Sequence, residues 1–177
     1  MQIRFAQKHD AAAIAALHVQ SWQQTYRGTL SDDYLDHHAA GERLAQWRQR
    51  LASPTPQQRV WLLEQDHQLI GFCCAYLNHD ARWGSYIDNL HVAQAAQGQG
   101  LGSLLLAKAA QAVLDEYMHQ GIYLYCNQSN TAGRYFYERR GAQCEGEHEW
   151  LAPDGSRVAT LRYVWPKASQ LLSRQGV

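Results

Sequence analysis

Three glycines crowd the stretch Gln97-Gly98-Gln99-Gly100-Leu101-Gly102. A strand-like run, Ser85 to Val92, precedes them. After them Leu105, Leu106, Ala109, Val113 and Tyr117 recur at helical spacing. Backbone N–H groups at a helix start lack partners inside the helix, and the helix dipole favours an anion there. Glycines clear the side chains that would keep a phosphate away. The pattern therefore predicts a phosphate cradle, with a tight turn that uses glycine only for its conformation as the competing reading. The dinucleotide fingerprint G-x-G-x-x-G fails, because Ser103 holds the third glycine position. A P-loop fails as well, since no Gly-Lys-Ser/Thr follows.

The elements that would carry this turn can be read in coarse form. Ile3 to Phe5 alternates as a short strand. Asp10 stands as an N-cap before an alanine-rich helix, about Ala11 to Gln24. Ser31 is placed to cap a second helix running to about Ala52, with a weak point at Gly41, and Ser53-Pro-Thr-Pro56 stops it. Val60 to Gln65 and Leu69 to Leu77 form a hairpin about Asp66-His67, followed by a loop from Asn78 to Gly84. Strict alternation in the third strand puts Tyr86, Asp88, Leu90 and Val92 on one side and Ile87, Asn89 and His91 on the other. A buried strand, Ile122 to Cys126, and a short helix, Thr131 to Arg140 with Gly141 as C-cap, come next. Two strands joined at Pro153-Asp-Gly155 end the pattern. This order predicts an α/β (α+β) domain over residues 1–166, with a mostly antiparallel mixed sheet and a peripheral tail over 167–177.

Composition narrows the partners. Lysine plus arginine and aspartate plus glutamate each number 16, so the net charge is zero and no basic excess points to nucleic acid. The four cysteines include no C-x-x-C pair, so no metal site is expected; they read as reduced, apolar-like residues, which places the chain in the cytoplasm. The amino terminus lacks a signal-peptide core, and no run approaches the ~20 apolar residues of a membrane span.

The spacing Gln97-x-x-Gly100-x-Gly102 matches Gln/Arg-x-x-Gly-x-Gly/Ala. Here the sequence resembles the GNAT superfamily of N-acetyltransferases, in particular bacterial members of unassigned substrate. Leu90-His-Val92-Ala-Gln-Ala-Ala-Gln97-Gly-Gln-Gly100-Leu-Gly102 is similar to the acetyl-CoA motif of that superfamily. Asn130-Thr-Ala-Gly-Arg-Tyr-Phe136-Tyr137-Glu138-Arg-Arg-Gly141 is similar to its second motif, in which a tyrosine follows an asparagine by seven residues. The sequence departs from the pattern at Gln94, Gly133 and Ala142. A fourth departure is Tyr86, where many members carry a glutamate.

The resemblance implies a GNAT fold of about six to seven strands flanked by about four helices. It implies acetyl-CoA as cofactor and direct transfer of an acetyl group to the primary amine of a small-molecule or amino-acid-like acceptor, often by a homodimer. The cofactor site would comprise Leu90, His91 and Val92, the loop Gln97 to Ser103 (Gly98, Gln99, Gly100, Leu101 and Gly102 between them), Asn130 and Tyr137. The Val92 N–H would serve as an oxyanion donor and Tyr137 as the acid for the departing thiolate. A phenol of pKa ~10 suits a thiol of about 8.5. Asp88 stands as candidate base or acceptor ligand, with Tyr86, Glu147, His148 or a water chain as rivals for the base. Trp22 and Tyr26 stand as candidate walls of the acceptor pocket, or as ordinary helix packing. A non-catalytic acyl-CoA sensor and a protein N-terminal or lysine acetyltransferase are the alternative functions.

Overall fold

In the computed structural model, which describes residues 1–172, seven strands form one mixed sheet. Strands β1 (Gln2–Phe5), β2 (Gln58–Gln65), β3 (Gln68–Asp80) and β4 (Gly84–Val92) run as an antiparallel series. Strand β5 (Ile122–Asn127) joins β4 in parallel, and β7 (Arg157–Trp165) and β6 (Gln143–Leu151) complete the order β1-β2-β3-β4-β5-β7-β6. Helices α1 (Ala11–Thr25) and α2 (Ala39–Ala52) cover one face. There Ile14, Trp47 and Leu51 pack on Val60, Leu62, Phe72 and Cys74. Helix α3 (Leu101–Glu116) covers the other, with Leu105, Leu106, Ala109 and Val113 against Cys73, Ala75, Ile87 and Leu124. Period-2 strands thus bury both faces under period-3.6 helices, as the sequence pattern requires. Helix α4 (Thr131–Arg139) follows β5.

Several expectations shift. Asp10 does not cap α1. Its carboxylate instead accepts from the Gln7 N–H at 2.7 Å and pairs with Arg4 at 2.8 Å, so it ties β1 to the helix start. Ser31 does cap its helix, accepting from the Tyr34 N–H at 3.2 Å. The irregularity beyond it is a π-helical turn at Tyr34–His38, not a break at Gly41. The expected loop at 78–84 is shorter, because β3 continues to Asp80. Cys144 is exposed, whereas the other three cysteines are buried. The segment after Pro166 is not peripheral over its described part. Ala168 and Leu171 are buried against the α3 core, and the remaining tail residues, 173–177, lie outside the described residues.

The largest correction lies in β4. Cys74 pairs with Asn89, but its neighbour Ala75 pairs with Ile87, so Asp88 is an extra residue in a β-bulge. A bulge resets the alternation of side chains. Ile87, Leu90 and Val92 all pack on the α3 side, whereas Asp88 reaches Arg50 of α2. Asp88 therefore does not share a face with Leu90 and Val92.

Candidate functional site

Strand β4 pairs with β5 over only three residues, Ser85 to Ile87 opposite Ile122 to Leu124. Beyond Ile87 the two strands separate, and a cleft of 1810 Å³ opens between them. The Ala93 N–H bonds to the Ile70 carbonyl of β3 at 2.8 Å. Successive N–H groups of a strand point to opposite edges. The Val92 N–H is therefore directed away from β3, into the gap. The Val92 carbonyl, on the same edge, accepts from the Gln97 side chain at 3.2 Å.

At the end of this gap stands the glycine-rich turn. Gly98 and Gly100 adopt φ of +77° and +76°, and a Cβ at either would meet nothing within 4 Å. Their faces are open because they border the cleft. The backbone bonds that close α3 begin with the Ser103 and Leu104 N–H groups on the Gly100 carbonyl. The N–H groups from Gly98 to Gly102 are thus left at a helix N-terminus with no helical partner. Ser103 adds a buried hydroxyl without a hydrogen bond, also on the cleft wall. Open glycines, unpaired donors and an orphaned hydroxyl fit a diphosphate ligand.

The second motif closes the cleft from β5. The Asn130 side chain accepts from the Gly133 N–H at 2.9 Å and caps α4. A Cβ at Gly133 would lie 2.6 Å from Asn130 Nδ2, which explains the glycine there. Gly102 likewise meets α4 closely, since its Cβ would lie 3.2 Å from Phe136 Cζ. One turn on, Tyr137 lines the cleft beside Cys126. Burial raises its phenol above the usual tyrosine range, with Cys126, Tyr26 and Cys73 adding to the effect. Tyr137 therefore keeps its proton at neutral pH, as a donor must.

A model of the acetyltransferase (GNAT) family matches residues 17–142, most of the chain. The chain belongs to this family. A relative named "Probable N-acetyltransferase Rv2775", from Mycobacterium tuberculosis, is 29% identical over 170 residues, covering 92% of each chain. The PaiA N-acetyltransferase of Thermoplasma acidophilum, solved in complex with coenzyme A, superposes with a TM-score of 0.70 at 18% identity. That match covers 90% of this chain and 98% of that one. The yncA protein of Salmonella typhimurium, solved with its cofactor acetyl-CoA, gives 0.65 at 20% identity, covering 93% and 92%. At these identities the two structures attest the GNAT fold.

In this GNAT domain Leu90, His91, Val92, Gln97, Gly98, Gly100, Leu101, Gly102, Ser103, Asn130 and Tyr137 line one cleft, whereas Gln99 of the turn does not. The His91 ring turns toward α1. Its Nδ1 is 2.7 Å from Ser21 Oγ, and its ring packs on Phe72 and His18. Burial lowers it to about 4.

The opposite side of the cleft is assembled from distant segments. Asp88 is held by Arg50 at 2.6 Å, so its carboxylate is paired with a cation of α2. Burial chiefly, with Asp88 close by, raises the Tyr86 phenol well above its usual range, and its ring stacks on Tyr123. Glu147 faces a separate shallow hollow with Arg157, whereas His148 reaches the cleft. Trp22 and Tyr26 lie where α1 meets β6. They border the cleft and also pack edge to face with each other, against Trp150 of β6. Burial pushes Tyr26 up to about 12.

Sequence reasoning missed Arg50, Arg43, Tyr125 and Ser21 as cleft residues. Arg50 and Asp88 are 38 positions apart, and Ser21 and His91 are 70 apart. No local pattern links such pairs. Among the described residues no cluster of His, Cys, Asp or Glu is arranged for a metal ion, and no helix is long and apolar enough to cross a membrane.

Proposed function

We propose that this protein transfers an acetyl group from acetyl-CoA directly to the primary amine of a small-molecule or amino-acid-like acceptor. The observation that carries the reading is convergence. An anion cradle, an outward-facing strand edge and a protonated phenol open into one cleft. The turn from Gln97 to Ser103 would hold the pyrophosphate, with Asn130 and the β4 edge along the pantetheine arm. Bound there, acetyl-CoA supplies an acyl group already activated as a thioester, so positioning provides much of the rate. The Val92 N–H would donate to the carbonyl oxygen as it gains negative charge. Tyr137 would give its proton to the departing sulfur, and it is protonated at neutral pH. We assign Asp88 to the acceptor wall with Arg50 rather than to proton abstraction, because the ion pair occupies it. Trp22 and Tyr26 form the adjoining wall.

Thiol release from acetyl-CoA with a panel of amines, amino acids and peptides tests the reading. Turnover on a small amine is expected, with kcat falling roughly 100-fold or more in Tyr137→Phe while CoA affinity is kept. CoA binding without turnover on any acceptor would convert the protein into an acyl-CoA sensor. Turnover on peptides alone would make it a protein acetyltransferase.

A further inference from the structure

The two faces of the sheet differ where β4 and β5 part. Ile87, Leu124 and Cys126 pack toward α3. Their chain neighbours Tyr86, Tyr123 and Tyr125 therefore stand on the opposite face, that of α1 and α2. Tyr86 stacks on Tyr123 with ring centroids 5.1 Å apart, and Tyr125 lies across both at 6.0 and 5.9 Å. Tyr86 and Tyr125 line the cleft, and Tyr125 is 38% exposed, so its ring is open to a ligand. The His148 ring stands edge-on to Tyr125 at 5.0 Å, and Tyr26 and Trp150 extend the aromatic wall.

The charged groups of this wall already have partners. Arg50 is paired with Asp88, Arg43 with Glu42, and Glu149 with Arg157. The hydroxyls beneath the wall are engaged as well. That of Tyr125 accepts from Arg162 at 3.3 Å, and that of Tyr123 lies 2.7 Å from His79 Nδ1. A further charge on the acceptor would have to compete with these partners, and breaking a partly buried pair leaves a charge uncompensated. A cationic tail meets a second obstacle, because the Arg162 guanidinium already lies over the Tyr125 ring, 5.5 Å from its centroid. An uncharged aromatic ring disturbs none of these contacts. It needs only the faces and edges of other rings, which the wall offers.

We propose that the acceptor is an arylalkylamine, whose uncharged aromatic tail lies against Tyr86 and Tyr125. The inference rests on the proposed acetyl transfer in this cleft and names the substrate class of that same site.

Initial rates with acetyl-CoA, and calorimetric titration of the protein saturated with coenzyme A, test this on a matched set of amines. Phenethylamine should be preferred roughly fivefold over cyclohexylethylamine, which has the same carbon count but no π system. It should be preferred roughly tenfold or more over phenylalanine and putrescine, each of which adds a charge. In Tyr125→Leu the phenethylamine-to-cyclohexylethylamine ratio should fall toward one. Tyr125→Phe, which keeps the ring, should retain the preference. Equal treatment of phenethylamine and cyclohexylethylamine by the native protein, or preference for phenylalanine or putrescine, overturns the inference without any variant. So does an undiminished ratio in a folded Tyr125→Leu protein, or failure of all these amines to bind while coenzyme A binds. Phenethylamine that binds with the expected preference but is not acetylated would support the aromatic site and overturn the transfer reading instead.

Discussion

Replacing Gly100 by alanine separates conformational strain from loss of ligand contact, because the protein contains a matched control. Gly100 has φ +76° and Gly28 has φ +75°, and a Cβ at either meets nothing within 4 Å. Each substitution forces a side chain into the left-handed region, at about 1–2 kcal/mol. For a chain of this size that corresponds to a Tm decrease of roughly 2–8 °C. The two variants should therefore unfold at similar, lowered temperatures. They should differ in binding. Gly100 borders the cleft, at the helix end whose N–H groups lack partners, whereas Gly28 does not line it. A methyl group at 100 holds a phosphate off those donors, and a hydrogen bond to a charged group contributes about 1.5–3 kcal/mol. Gly100→Ala should thus weaken coenzyme A by roughly 10- to 100-fold in calorimetry, and Gly28→Ala should leave it unchanged. Equal coenzyme A affinity in the two variants, at equal loss of stability, would refute the cradle.

Two other outcomes follow from the ion pair and the buried imidazoles. Asp88→Asn should keep coenzyme A affinity, raise KM for the amine and lower kcat less than about tenfold; a loss beyond roughly 100-fold, with one limb of the pH–rate profile gone, would restore Asp88 as the base. His18 and His91 are both held below the usual histidine value of 6.5, His91 at about 4. The folded protein keeps both rings neutral, whereas the unfolded chain takes up protons below that value. Stability should therefore be fully present above about pH 6.5 and decline toward pH 4, by on the order of 1.4 kcal/mol per pH unit for each ring. Thermal melts between about pH 7.5 and pH 5 check this, and a flat Tm over that range would contradict it.

The glycine-rich turn and the Asn130–Tyr137 helix were legible because each is local in the chain. The end of β4 at Val92, the glycines of the turn and the start of α3 at Leu101 follow one another within a few residues. Asn130 and Tyr137 lie two turns apart on one short helix, so their spacing carries the information. Helix α3 and the final hairpin were legible for the same reason, since each is written in a period of a few residues. The fate of Asp88 was not. Strict alternation gave it the wrong face, because an extra residue opposite Cys74 and Ala75 is a property of strand pairing. Its occupation by Arg50 depends on how α2 lies across the sheet. Asp10 was misread for a similar reason, as Arg4 competes for the carboxylate that would cap α1.

The sequence by itself determined the glycine-rich turn between strand and helix and the spacing of Asn130 and Tyr137 on the short helix that borders the same cleft. Only the tertiary structure decided what lines the opposite wall of the cleft. That wall is assembled from α1, α2, β4, β5 and the β6–β7 hairpin, segments far apart in the chain. Contacts between them are set by packing and by competition among charges, neither of which leaves a period or a spacing to read.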